Sequence, residues 1–439
     1  MRLQRRPPSL AEHEIEDPQQ DSDEKPLRNR SAWSPISDED KNDVGEDKSD
    51  AGEDKSDAGS GKYVPRYYED DESESGSHVT TFDELNEEFG RWSAPQEPLR
   101  PENPYKKGQI LNITKHTACA PFGQDYPNYE GVRERAPERE LRSKTLVDLC
   151  LDRPPVGGET AAAGEEAQTL EILDGLRVRE DGGAQIVVCR VSGKPQELVA
   201  KIYDPLYYGF AHRMWSDQPR DVTYEADMDY SREVAAYLEL DGQLGGADIP
   251  KYHGSWTFQL PLELPGGKKT RHVRLVLMEH IEGTPMTDLK PELYPESTRM
   301  DLVTRMVETV ARVDFAGVSH GDVSQRNVMV CLTQADTVDR VALIDFNYAV
   351  VDRLDDFEEQ FPDLERRPKP AKMPNPIDRW WGGGLYSVVG EWLPASWEFR
   401  WRALQDWLYE KYGKSEEYAP PRATLDWDEE NVPQVWIAT

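Results

Sequence analysis

The alternation of apolar and polar residues becomes regular at Thr169 and continues to about residue 204. Three apolar runs lie in this stretch, TLEILDGLRV, AQIVVCRV and ELVAKIYD, and the turn-forming sequences EDGG and SGKPQ separate them. Runs of this length that are rich in β-branched residues and divided by Gly and Pro turns are typical of hairpins. The pattern therefore predicts three successive antiparallel strands.

Downstream, the pattern predicts one helix and two more strands. DYSREVAAYLEL, over Asp229–Leu240, spaces its apolar residues as a helix does. KYHGSWTF and VRLVLMEHIEG have the composition of strands. Together with the first three strands they predict a sheet of about five strands with one helix, over residues 169–283.

After Gly283 the periodicity becomes helical. Two short predicted strands, NVMVCL and VALIDF, follow a helix that ends before HGDVSQRN, and LPASWEFRWRALQDWLYEKYG predicts further helices. Eight of the twelve tryptophans lie in the last 60 residues, where a packed helical core explains them better than a platform for stacking bases. The apolar face of the first helix consists of Leu302, Val303, Met306, Val307, Val310 and Val313.

The chain before Thr169 has a different character. Residues 1–100 carry 27 acidic and 13 basic side chains with few aliphatic ones, and such a segment cannot bury enough surface to offset its chain entropy. We expect a disordered acidic arm here, within which GEDKSDA occurs twice in succession. Residues 101–168 hold only short apolar pieces and the Gly- and Ala-rich GGETAAAGEEAQ, which indicates an extension and linker.

Charge and cysteine content narrow the classes of function. Lys and Arg number 52 against 84 Asp and Glu, so the net charge is −32, which disfavours nucleic acid or an anionic membrane as a partner. The four cysteines form no C-x-x-C pair, so neither a zinc site nor a disulfide framework is expected. The sequence shows no apolar signal segment and no apolar run of about 18 residues, and we expect an intracellular protein of the cytoplasm or nucleus.

Five short motifs stand out from the apolar pattern, and most of them contain polar residues suited to phosphate or metal chemistry. Lys201 lies in the strand sequence VAK, Glu233 lies in REVAAY on the predicted helix, and MEHI over 278–281 ends the fifth strand. HGDVSQRN over 320–327 follows the amphipathic helix, and IDFN over 344–347 ends a short strand. Each motif is weak alone, but the ordered set is specific.

This ordered set resembles the protein-kinase family. HGDVSQRN resembles the loop H-x-D-x-x-x-x-N, IDFN resembles D-F-G with Asn in the Gly position, and VAK resembles the V-A-I-K strand. The resemblance implies a bilobal α+β fold with a β-rich N-lobe at 169–283, a helical C-lobe at 284–415 and a tail at 416–439. Overall, the chain resembles the fungal protein-kinase-like domain proteins over about residues 169–415.

The resemblance also implies a role for each residue, with ATP and Mg²⁺ as cofactors. Phosphoryl transfer needs positioning and charge neutralisation more than covalent help from the protein. Asp322 would be the catalytic residue and would orient the acceptor hydroxyl. The nucleotide would be held by Lys201 with Glu233 and by Met278, Glu279 and Ile281, and the metal by Asn327 and Asp345.

Each of these residues also has a structural explanation. An Asp at the end of a strand is commonly a turn residue, and Lys201 could be an edge lysine whose amine reaches solvent. Glu225 or Glu239 could take the place assigned to Glu233. The joint spacing of the two loop motifs favours a nucleotide site over isolated turns.

The sequence departs from the protein-kinase pattern at four points. Only REDGG, over 179–183, lies between the first two strands, so the Gly-rich loop G-x-G-x-x-G is missing. Gly321 and Ser324 stand where protein kinases have Arg and Lys, and Asn347 stands in the Gly position. A loop of the form H-G-D resembles atypical kinases and the aminoglycoside or choline phosphotransferases.

The sequence therefore predicts an ATP- and Mg²⁺-dependent phosphotransferase that acts on a hydroxyl. The expected partners are the nucleotide and an acceptor, either Ser or Thr of an unidentified protein or a small molecule. One alternative is a pseudokinase that serves as a nucleotide-binding or protein-interaction module, which the missing Gly-rich loop favours. A second alternative is a scaffold that acts through its acidic arm.

Overall fold

The computed structural model describes residues 91–123, 125–127, 132–162, 166–212, 217–356, 371–380, 384–421, 423–427 and 433–437. Most of the predicted acidic arm, residues 1–90, lies outside the described residues, and the predicted tail is described in part.

The largest sheet has seven strands in the order β2-β1-β3-β4-β5-β7-β6, and all of its pairings are antiparallel. β1 also pairs with β6, through Thr114 opposite Thr257 and Lys115 opposite Trp256. This pairing brings the two ends of the sheet together, so the sheet closes like a barrel. The strands are β1 Ile110–Thr117, β2 Glu159–Thr160, β3 Ala167–Arg177, β4 Gln185–Val191, β5 Leu198–Tyr203, β6 Tyr252–Leu264 and β7 Gly267–Glu279.

The three predicted successive strands are confirmed as β3, β4 and β5, and the two later ones as β6 and β7. Every residue of β5 is buried, including its one charged residue, Lys201, so neither face of this central strand is open to solvent. The predicted sheet of about five strands is too small, because β1 and β2 come from the segment interpreted as extension and linker. β1 pairs with strands far away in the sequence, so no local pattern marks it as a sheet strand.

Two short helices, α1 Glu138–Ser143 and α2 Leu146–Asp152, follow β1 and contribute buried leucines to the core. The predicted boundary of the arm at residue 100 also needs correction. Trp92 is only 8% exposed, and its ring packs edge-on against Phe210 with centroids 5.5 Å apart. One aromatic anchor in a polar segment is enough to attach the chain here, although composition averaged over the arm conceals it.

α3, Val222–Leu244, crosses the sheet and is longer than the predicted helix. It begins where the Asp221 carboxylate accepts a hydrogen bond from the Tyr224 N–H, which satisfies one of the free donors of the first turn. Its extra first turns, residues 222–228, mix apolar and acidic side chains that are all buried, so they show no amphipathic pattern. The buried apolar side chains Val234, Ala236, Tyr237 and Leu240 belong to the main core.

The second part of the chain is mainly helical around short strands. α4, Glu296–Phe315, confirms the predicted amphipathic helix, and all six predicted apolar positions are buried. The short strands are β8 Thr284–Pro285, β9 Val318–Ser319, β10 Val328–Leu332, β11 Val338–Leu343 and β12 Val350–Val351, paired in the orders β11-β10-β8 and β12-β9.

Part of the C-terminal region packs on α4, where Arg299 donates hydrogen bonds to the carbonyls of Trp392 and Leu393. Trp380 and Trp392 are buried in the same apolar core, as predicted for the tryptophan-rich region. None of the helices among the described residues is long and apolar enough to cross a membrane. The elements are α5 Pro376–Trp380, α6 Gly384–Val389, α7 Arg400–Tyr412, β13 Ala423–Trp427 and β14 Pro433–Ile437.

Candidate functional site

The structure brings three of the predicted residues into direct contact. Lys201 on β5 donates hydrogen bonds to the carboxylates of Glu233 on α3 and of Asp345, which follows β11. Lys201 is 4% exposed and Glu233 is fully buried. We call Lys201, Glu233 and Asp345 the lysine trio.

Electrostatics favour the charged forms of Lys201 and Asp345, whereas burial raises the pKa of Glu233 although Lys201 opposes the rise. Burial opposes ionisation of Lys201, but the carboxylates of Asp345 and Glu233 outweigh it and raise the pKa of the amine. Burial likewise opposes ionisation of Asp345, yet Lys201 and Arg177 hold the pKa of Asp345 at about 2. The Lys201 amine thus lies beside the carboxyl groups of Glu233 and Asp345 in a site that is largely closed to solvent.

The contact also decides among the three candidate glutamates on α3. Glu225 pairs with Arg220 and Glu239 pairs with Arg353, so only Glu233 meets Lys201.

Tyr203, which the sequence analysis missed, donates its hydroxyl to Glu233 at 2.6 Å. Tyr203 lies two residues after Lys201, so its side chain leaves the strand on the same side. This spacing could have indicated that Tyr203 lies near the lysine.

The loop His320–Asn327, called the HGD loop here, is fixed by its own side chains. The His320 Nε2–H donates to the Ile344 carbonyl at 3.0 Å, and Nδ1 accepts the Asp322 N–H at 3.3 Å. Burial lowers the pKa of His320, which agrees with a neutral ring that accepts at Nδ1. Asn327 donates its amide to the Asp322 carbonyl and carboxylate, at 2.9 and 3.0 Å.

Arg326 was not predicted, yet it forms an ion pair with Asp322 at 2.6 Å. Its side chain is 63% exposed, whereas that of Asp322 is about one-quarter exposed. We call Asp322 and Arg326 the loop pair. The i, i+4 spacing within HGDVSQRN was the signal that could have revealed it.

Gly321 adopts a left-handed conformation with φ +76°. A Cβ at this position would lie 2.2 Å from the carbonyl oxygen of Tyr348, which is a backbone atom and cannot turn away. Any larger residue, including the Arg of protein kinases, is therefore excluded on steric grounds.

The residues after β11 are attached to α3. The Phe346 ring lies between those of Tyr237 and His320, with centroids 5.4 and 4.7 Å away. The Asn347 amide donates to Asp229 at 3.3 Å. Asn in the Gly position thus adds a link to the helix that also carries Glu233.

The other predicted nucleotide-binding residues, Met278, Glu279 and Ile281, lie at the end of β7 and just after it. Met278 is buried and accepts a hydrogen bond from the Tyr237 hydroxyl at its sulfur. The Glu279 N–H donates to the Lys251 carbonyl, and its carboxylate binds Arg340 at 2.6 Å. The Ile281 carbonyl accepts the Gly283 N–H at 2.9 Å. The strand register does not place the side chains of these residues in the lysine trio.

The ligand chemistry of the site suits Mg²⁺ shared with a phosphate. Asn327 and Asp345 supply an amide and a carboxylate oxygen, and they are neighbours because the Ile344 N–H donates to the Asn327 carbonyl at 3.0 Å. Within the described residues, no group of three or more His, Cys, Asp or Glu side chains could hold a metal. Mg²⁺ commonly takes one or two protein oxygens and completes its shell with substrate phosphates and water.

No protein-family model matches the sequence, and no curated protein matches it. Among solved structures, the kinase PK-1 of the Cydia pomonella granulovirus is similar, at 15% sequence identity and a TM-score of 0.25. The match covers 42% of this chain and 52% of the viral kinase, so the chain spans about half the length of that structure. A TM-score this low carries no argument about fold or function.

Proposed function

We propose that the protein is an ATP- and Mg²⁺-dependent phosphotransferase of the protein-kinase-like type, which transfers the γ-phosphate to a hydroxyl. The observation that carries this proposal is the lysine trio. The trio consists of a Lys on a strand, a Glu on the helix that follows and an Asp just after a later strand. Protein kinases place a phosphate-binding Lys, a helix Glu and a metal-binding Asp in the same order. The proposed fold is bilobal, with the sheet and α3 as one lobe and the helical part as the other.

In this proposal the trio binds the phosphates and the metal. Lys201 would bind phosphate oxygens while Glu233 and Tyr203 keep its amine in place. Asn327 and Asp345 would hold Mg²⁺, which supplies charge neutralisation in the transition state when bound. Adenine would meet the Glu279 carbonyl and the Ile281 N–H, because the other backbone group of each is already hydrogen-bonded.

Asp322 would orient the acceptor and receive its proton. The acceptor oxygen forms a bond to the γ-phosphorus, and the bond from that phosphorus to the β–γ bridging oxygen breaks. ADP leaves with the bond's electron pair, and the acceptor proton passes to Asp322. The acceptor remains either a protein Ser or Thr or a small molecule, and the net charge of −32 disfavours nucleic acid.

The test is a melting-temperature shift with ATP and MgCl₂. Nucleotide at about 100 times its Kd should stabilise the fold by about 2.7 kcal/mol, a rise of several degrees. Asp345→Asn should reduce the shift that depends on Mg²⁺, and Asp336→Asn, in the exposed turn between β10 and β11, is the matched control. No shift at millimolar Mg-ATP would overturn the proposal.

A second candidate is a nucleotide-binding module without phosphoryl transfer. The ion pair of Arg326 with Asp322 favours it, since that contact occupies the carboxylate that an acceptor would need. Asp322→Asn separates the two functions. An enzyme should lose about 10²- to 10⁴-fold in kcat with ATP affinity nearly unchanged, and a binding module should lose nothing.

A further inference from the structure

Arg177, at the end of β3, lies on the same face of the sheet as Lys201. The β3–β4 pairing shifts register between Gly175 and Arg177, and after this irregularity Arg177 is opposite Ile186 of β4. Ile186 is in turn opposite Lys201 of β5. Residues directly opposite each other on antiparallel strands point to the same side. Two strand spacings, about 10 Å, therefore separate the backbones of two cations that share one face.

The Arg177 guanidinium has unused donors. Nη2 donates to the Ala184 carbonyl at 3.4 Å, and Nε is buried with no hydrogen-bond partner. In the described part of the chain, no carboxylate forms an ion pair with Arg177. A buried donor without a partner is costly, so this arrangement is better suited to a bound anion than to the unliganded protein.

The turn between β3 and β4 is not built as a phosphate cradle. Its acidic residues Glu180 and Asp181 each pair with Arg100 at 2.8 Å. The Gly182 carbonyl accepts the Gly209 N–H at 3.0 Å, which ties the turn to the chain after β5. A turn fixed in this way, with two carboxylates, offers little to a triphosphate, so the donors must come from another group.

We propose that Arg177 binds the phosphates of the nucleotide and takes over the task of the missing Gly-rich loop. A planar guanidinium binds phosphate oxygens with two parallel N–H bonds, which suits an anchor that replaces several backbone amides. Lys201 and Arg177 then contact the phosphate chain from two positions on one sheet face. This inference rests on the proposed nucleotide site and identifies a binding residue for it.

The experiment compares Arg177→Gln with Arg179→Gln, an arginine of the same hairpin that is exposed. Affinities for ATP, ADP and adenosine are measured by calorimetry and ligand-observed NMR, with MgCl₂ and with EDTA. Arg177→Gln should weaken ATP and ADP binding about tenfold to hundredfold and leave adenosine within about twofold. The loss should persist in EDTA because the contact is direct, and Arg179→Gln should bind like wild type.

Two results would overturn the inference. An equal loss for adenosine would show that Arg177 only supports the fold of the hairpin, and unchanged ATP affinity would show that it does not touch the phosphates. Arg177→Lys, which keeps the charge, should recover part of the affinity. If wild type itself binds no ATP, the proposed function fails, whereas ATP binding that ignores Arg177 removes only this inference.

Discussion

The lysine trio and the loop pair both join a cation to a carboxylate, but they lie in different environments. The trio is enclosed between β5 and α3, whereas Arg326 of the loop pair is largely in solvent. In the trio each charge depends on its partners because water cannot replace them. In the loop pair water can replace either partner at little cost.

Burial therefore decides which of these residues can be substituted to test chemistry without disturbing the fold. A substitution in the trio changes stability and ligand binding together. A substitution in the loop pair should act on chemistry alone, although the backbone that carries it is rigid at Gly321.

Lys201→Met should have the largest effect. It leaves Glu233 and Asp345 as neighbouring carboxylates in a closed site, and we expect a loss of about 3 to 5 kcal/mol in unfolding free energy at pH 8. The loss should be smaller at pH 5, because one carboxylate can then take up a proton. Denaturant unfolding at both pH values measures it.

The matched control is Lys251→Met, which breaks an ion pair with Asp241 at 2.9 Å whose lysine is 47% exposed. It should cost less than about 1 kcal/mol at either pH. Equal losses at the two lysines would contradict the distinction between enclosed and exposed pairs.

Gly321→Ala should destabilise the protein by about 1 to 3 kcal/mol, because a Cβ would meet the Tyr348 carbonyl and φ is positive. Gly108→Ala is the control, since Gly108 has a similar φ of +85° and open space around its Cβ position. The difference between the two variants isolates the steric clash. Thermal unfolding of both should show the larger fall for Gly321→Ala, and the reverse order would refute a rigid HGD loop.

Asp229→Asn should change how stability depends on pH. Burial raises the pKa of Asp229 to about 7, although Lys201 opposes the rise. An unfolded Asp titrates near pH 4, so wild type should lose stability as pH rises from about 4 to 7 and stay level above 7. The variant has no carboxyl group to ionise at this position. Its unfolding free energy, relative to that of wild type, should therefore increase by about 1 to 2 kcal/mol as the pH rises from about 4 to 7. Parallel curves would show that Asp229 is ionised throughout.

Arg326→Gln should have the smallest effect on stability, below about 1 kcal/mol, because the pair with Asp322 is exposed. A double-mutant cycle with Asp322→Asn measures the coupling directly. A coupling above about 2 kcal/mol would mean that the loop pair belongs with the trio, as a structural contact.

Local patterns predicted the strands β3 to β7, α3 and α4, because each has its own apolar periodicity or turn signals. They could not predict β1, whose partners β3 and β6 are distant in the sequence, or the attachment of Trp92 to Phe210. Contacts between distant segments leave no local pattern, because neither partner affects the sequence around the other.

The same division holds for the site. The order and spacing of motifs singled out Lys201, Asp322 and Asp345 as candidates, because phosphate and metal chemistry limits which residue types can serve, and their roles stay predictions. Packing of α3 on β5 selects the acid that meets Lys201, because Glu225, Glu233 and Glu239 differ in their height along the helix and in the direction in which they leave it. The tertiary structure also placed Arg177 across two strands from Lys201, a relation set by strand register. Local sequence thus specifies which chemical groups are available, whereas the contacts between these groups depend on how distant segments pack, which no single segment encodes.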